Sequence, residues 1–166
     1  MIEATWTRYR DLILSLRGLY GELIAAQLTV EAQLEERLGL LIAHPDVLLA
    51  RAGFHQKLDL LLGLYPGASA LESQEIAQMR RLNRIRNMIA HGESQPKIHS
   101  ALAELLCQAS PEYRSSDRSM DETVEALRRL VLGICGYLVG LTDGDAFDQL
   151  RRLHIDRSRT GGLADG

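Results

Sequence analysis

The stretch IAQMRRLNRIRNMIAHG, residues 76–92, decides how this chain is read. On a helical wheel of about 100° per residue, Met79, Leu82, Ile85 and Ile89 fall within roughly 120° of one another and form a stripe that must face a core. Asn83, Asn87 and His91 follow at four-residue steps on the flank, beside Arg80 and Arg84. Gly92 stands where a left-handed residue closes a helix. The spacing predicts a helix from about Leu71 through His91 that ends in a polar, cationic ledge. Arg86 falls inside the apolar stripe, and a guanidinium, which cannot shed its charge, needs a carboxylate, a phosphate or several carbonyls there. Arg86 is therefore expected on the buried side and His91 on the ledge.

Outward from this stretch, the chain continues to read as helix. Trp6, Tyr9, Ile13, Leu16, Tyr20, Leu23, Val30, Leu34 and Leu41 recur at three- and four-residue steps, which predicts one helix from about Thr5 to Ala43, roughly 57 Å long. Gly18 and Gly21 are the places for a bend, and His44-Pro45 is the expected end. A short segment from Val47 to Ala50 and a helix from Phe54 to Leu64 follow, closed by a turn at Tyr65-Pro66-Gly67. Ile98, Ala101, Leu102, Leu105 and Leu106 mark another helix after Pro96, and Ser110 through Arg118 is a polar connection. Ser119 and Glu122 match a capping box opening a helix with Val124, Leu127, Val131, Ile134, Leu138 and Leu141 on one face. Gly133, Gly136 and Gly140 leave a strip of that helix bare enough for close helix approach. From Asp156 the chain is nearly devoid of apolar residues, so 156–166 is expected to be a flexible tail. With no useful β-alternation, the fold class is all-α: one domain over residues 1–155, an antiparallel helical bundle with a long first helix and a C-terminal packing helix.

A net charge of -3 and a pI near 5.9 give no global attraction to nucleic acid. Arg80, Arg81, Arg84 and Arg86 nevertheless concentrate positive charge locally, and the natural ligand of such a cluster is a phosphate backbone. Cys107 and Cys135 lie outside any CxxC pair, as expected of unpaired, buried thiols in the cytoplasm. Neither a signal peptide nor a membrane span is read. His44, His55, His99 and His154 are scattered, so no metal site is expected, and no cofactor-binding loop or serine-nucleophile motif is present. The residues alone leave bland alternatives open. Arg86 could pair with Glu31 or Glu35, Lys57 could be acid-paired, and the arginines could be a solvated face answering Glu72 and Glu75.

Arg86 and His91 stand about 140° apart on an ideal helix, so one chain does not aim both at a single phosphate. Two such helices facing across a two-fold axis would line one cleft with two of each. The run Arg86-Asn87-Met88-Ile89-Ala90-His91 resembles the R-x4-6-H signature of the HEPN superfamily. Phe54-His55-Gln56-Lys57-Leu58 and Leu82-Asn83-Arg84-Ile85-Arg86-Asn87 are similar to the F-x-x-K-L and L-N-x-x-R-N patterns of one bacterial group of these domains. The likeness covers about residues 5–141, and only 54–92 is specific.

The resemblance implies a HEPN-type bundle and a metal-independent endoribonuclease that works as a homodimer without cofactor. It also implies a toxin or phage-defence effector, with an antitoxin or defence-system protein as partner. His91 would be general acid/base on the RNA 2′-OH or the leaving 5′-oxygen, Arg86 would stabilise the pentacoordinate phosphate, and Asn87 would orient either of them. Arg80, Arg81, Arg84, Lys57 and Asn83 would contact RNA. Where toxins paired with a nucleotidyltransferase carry a tyrosine two residues past the histidine, this chain has Glu93, so neutralisation by AMP transfer is not implied. The competing expectation is a non-catalytic module resembling the mannitol operon repressor group, in which the arginines contact a protein.

Overall fold

A computed structural model of the chain describes residues 18–64, 73–110, 113 and 118–142. These form six helices and, among the described residues, no strand: α1 (Leu19–Gly39), α2 (Pro45–Leu49), α3 (Phe54–Leu64), α4 (Gln74–Ala90), α5 (Gln95–Ala109) and α6 (Met120–Thr142). The chain is an all-α bundle. The N-terminal stretch through Arg17, the turn at Tyr65-Pro66-Gly67 and the 156–166 tail lie outside the described residues.

The first helix differs from expectation at both ends. Gly18 adopts φ 113° and ψ -154°, a conformation open to glycine and closed to a helix, so α1 begins at Leu19 and no unbroken helix runs from Thr5 through it. The far end falls at Gly39, before His44-Pro45. That dipeptide instead opens α2, with Pro45 at a first-turn position where its missing N–H leaves no hydrogen bond unmade. Both differences reflect backbone geometry that apolar periodicity does not report.

Where the signals were local, the elements stand as read. α3 has the expected bounds. The capping box closes reciprocally: Ser119 N–H donates to Glu122 Oε2 at 2.8 Å, and Glu122 N–H donates to Ser119 Oγ at 3.3 Å. The hydrogen bonds from Ser119 hold the Glu122 carboxyl below the usual carboxylate range.

The core lies between α1, α4 and α6, with α3 and α5 closing its sides. Leu23, Val30, Leu34 and Leu38 of α1 meet Leu58 and Leu61 of α3, Met79, Leu82 and Ile85 of α4, Leu105 and Leu106 of α5, and Leu127, Ile134 and Leu138 of α6. α4 and α5 are antiparallel, since the Gln74 amide donates to the Gln108 carbonyl at one end and Arg81 faces Glu104 at 4.0 Å further along. α6 packs as expected, but through its leucine face. Gly133, Gly136 and Gly140 are exposed, and no described atom lies within 4 Å of where their Cβ atoms would be, so the bare strip receives no helix here. Both cysteines are free, yet Cys107 is exposed rather than buried, its Sγ donating to the Tyr113 carbonyl at 2.7 Å. Burial pushes the half-buried Cys135 thiol up. Among the described residues, no helix is long and apolar enough to cross a membrane.

Candidate functional site

α4 carries the ledge, and its anchoring explains the site. Ser73 caps its start, its Oγ accepting from Ile76 N–H at 3.3 Å. Ile76, Met79, Leu82 and Ile85 then lock it into the core. Beyond Ile85 no residue of the helix is fully buried, and Met88 and Ile89 pack half-buried against the edge of the core. The end itself is tied off by two carbonyl contacts, Gly92 N–H to Ile89 O at 3.1 Å and Glu93 N–H to Met88 O at 2.9 Å, with Gly92 at φ 68°. This is the paired closure of a Schellman motif. It leaves His91 exposed at a fixed helix end.

The closure depends on one glycine. Gly92→Ala meets no steric obstacle, since nothing lies within 4 Å of the added Cβ. It carries only the left-handed backbone cost of about 1–2 kcal/mol, a melting temperature lower by roughly 2–8 °C for a domain of this size. Thermal unfolding of the variant followed by circular dichroism checks this.

A groove of about 550 Å³ runs along the exposed side of α4, lined by His55, Arg80, Arg81, Arg84, Asn87, Met88, His91 and Glu93. Arg80, Arg84, Asn87 and His91 succeed one another at steps of four, three and four residues, so they form one row about 16 Å long. Six of the residues named in sequence for catalysis or RNA contact thus divide clearly. Arg80, Arg81, Arg84, Asn87 and His91 share the groove, and Arg86 does not line it.

Arg86 corrects the wheel. It is exposed, not buried, and its Nη1 donates to Asn87 Oδ1 at 3.0 Å. Burial by wheel position holds only as far as the core extends, and Arg86 stands one residue past the last buried position. A guanidinium can only donate, so the carbonyl oxygen of Asn87 must face it, which leaves the Asn87 amide hydrogens to donate elsewhere. Asn87 thereby links Arg86 to the groove wall.

Among the described residues, the buried cation is Lys57. It is 5% exposed, and its Nζ donates to Glu31 Oε1 at 2.6 Å and to the Glu35 carboxylate. Gln27 Nε2 adds a bond to the other Glu31 oxygen at 2.9 Å. Lys57, expected to contact RNA, is therefore spent on two carboxylates of α1. It also occupies the acid pair that Arg86 could have sought. Burial alone would push the Glu31 carboxyl up, but the bonds from Lys57 and Gln27, with the charges of Lys57 and Arg86, hold it below the usual range. Burial likewise opposes the Lys57 charge, and the two glutamates more than offset it, holding the ammonium above the ordinary lysine value.

Asn83 is also corrected. It is buried, with its Nδ2 3.4 Å from His55 Nε2, so it supports an imidazole rather than reaching RNA. Arg81 is half-buried and leans toward Glu104. At the His91 end, Glu93 is held by Lys97 Nζ at 2.9 Å, and that bond keeps its carboxyl below the usual range, so the carboxylate at the groove mouth stays ionised beside an ammonium that offsets it. His55 is the groove residue that sequence reasoning did not single out. It comes from α3, and no spacing along the chain relates it to α4. Among the described residues, no three histidine, cysteine or acidic side chains converge as a metal site.

No protein-family model, no curated protein and no solved structure matches the chain.

Proposed function

We propose that the protein is a metal-independent endoribonuclease of HEPN type that acts as a homodimer, with a toxin or phage-defence role and an antitoxin or defence-system protein as its partner. The observation that carries this reading is the row Arg80, Arg84, Asn87 and His91 along one open groove, with the histidine at a rigid helix end. Three arginines line that groove on a chain that is acidic overall, which suits a phosphate backbone. His91 is solvent-accessible and so able to exchange protons with substrate, as general acid/base work requires. Arg86 is exposed beside the groove and tied to Asn87, available to a second chain across a two-fold axis. In the dimer, the one shared cleft would hold two half-sites, each pairing the histidine of one protomer with the arginine of the other.

The chemistry would begin with His91 removing the 2′-OH proton. The 2′-oxygen attacks phosphorus, Arg86 compensates the charge of the pentacoordinate phosphate, and the 5′-oxygen leaves with a proton from an imidazole. Products are a 2′,3′-cyclic phosphate and a 5′-OH. Purified protein incubated with total RNA in EDTA is the test. Wild type should cut, and His91→Ala should not; intact RNA with both would overturn the reading. Such a result would favour the non-catalytic regulatory module, in which the arginines of the groove contact a protein.

A further inference from the structure

We infer that the groove takes an extended single-stranded RNA segment, and that His55 is the contact for the phosphate two nucleotides along from the one handled by His91. The inference rests on the RNA reading above. His55 is exposed, yet its ring meets a buried amide, on a helix anchored close by. Its Nε2 lies 3.4 Å from the amide of buried Asn83, and two residues further along α3 the buried Lys57 is clamped by Glu31 and Glu35. An exposed imidazole gains nothing for the core from such fixing. A ligand-contacting one does, because a group already held in place loses less freedom on binding.

The spacing separates the roles of the two histidines. Asn83 and His91 are eight residues apart on α4, about 12 Å along the helix axis, and His55 sits against Asn83. A proton-transferring group must come within about 3 Å of the atom it serves, so the two imidazoles do not act on one phosphorus. One strand of nucleic acid advances about 3.4 Å per nucleotide in a helix and about twice that when extended, so a separation of about 12 Å spans two nucleotide steps of an extended single strand, that is, two phosphates with one between them. Arg80 and Arg84 lie on either side of Asn83 in sequence and supply charge at the His55 end, whereas at the His91 end Glu93 and Lys97 offset one another. The second phosphate is therefore bound where the cationic charge is densest.

The test uses 2′-O-methyl RNA, which binds but cannot be cut at a 2′-OH. Affinities of wild type, His55→Ala and His91→Ala are measured for a trinucleotide and for a tetranucleotide, which adds one internal phosphate. Wild type and His91→Ala should bind the tetranucleotide about tenfold more tightly, the size of one hydrogen bond to a charged group. His55→Ala should bind both with the same affinity. His55→Gln, which can still bond to Asn83, serves as a second variant and should also lose most of the gain. On cleavable RNA, the loss in His55→Ala should fall on KM more than on kcat. A tenfold length preference that survives in both His55 variants overturns the inference while leaving the nuclease reading intact. A wild-type protein that neither binds these oligonucleotides nor cuts longer RNA overturns both.

Discussion

Replacing His91 by alanine should lower RNA cleavage about a thousandfold, within the range of roughly 10²–10⁴ that a positioned general acid or base contributes. Folding should be unaffected, since the side chain is exposed and the Schellman closure is made by backbone atoms alone. Arg86→Ala should cost a similar factor, roughly 10²–10³, by removing charge compensation at the phosphate. The informative experiment mixes the two variants. If the cleft pairs Arg86 of one protomer with His91 of the other, a heterodimer of Arg86→Ala and His91→Ala contains one intact half-site and one doubly defective half-site. Equal mixing with free exchange then restores about a quarter of wild-type activity, because half the dimers are mixed and each carries one working site. If both residues serve the cleft of their own chain, no mixture restores activity. Full loss in both single variants with no recovery on mixing would sink the shared-cleft geometry, and undiminished activity in His91→Ala would sink the catalytic assignment.

The largest stability effect is expected at Lys57. Lys57→Ala leaves Glu31 and Glu35 facing each other at the edge of the core with no cation between them. Removing one partner of a buried ion pair costs about 3–5 kcal/mol, and the low end applies because Glu35 retains contact with water. A cost of about 3 kcal/mol corresponds to a melting temperature lower by roughly 6–12 °C. Lys57→Met should cost less in the double variant with Glu31→Gln, which no longer buries an uncompensated charge. A melting temperature for Lys57→Ala within 2 °C of wild type, an order-of-magnitude threshold below one kcal/mol, would refute the assignment.

The same cluster makes stability pH-dependent in two windows. The Glu31 carboxyl is held below its unfolded value, so its contribution is present above about pH 4.3 and disappears as pH falls through the folded value. The Lys57 ammonium is held above its unfolded value, so its contribution is present below about pH 10.4 and disappears as pH rises through the folded value. Thermal melts across both windows should flatten in Glu31→Gln at the acid end. Because His55 lies two residues from Lys57, loss of the clamp should also weaken RNA binding at the His55 end of the groove.

What was legible in the residues was what short-range chemistry decides. The bounds of α3, the Ser119–Glu122 box and the left-handed Gly92 each depend on groups within a few positions of one another, and each stands as read. The stripe Met79, Leu82, Ile85 likewise marks the buried face of α4. Arg86 was misread because a wheel assigns direction but not depth: it gives the face a residue lies on, and not whether a neighbouring helix reaches that far. Lys57 is acid-paired, as one of the two readings of its residue type has it, but that the pair is buried depends on two carboxylates of α1, Glu31 and Glu35, far away in sequence.

The all-helical class, the helix that carries His91 and the cationic row along it follow from the residues themselves, because periodicity and caps are local properties. Which cation is buried, which glycines stay bare and which histidine joins the row were decided by packing. α1 and α3 meet through Lys57, α6 turns its glycines outward, and α3 sets His55 against Asn83 on α4. Those contacts join residues that no repeat or motif connects, so only the folded chain brings the two ends of the groove together.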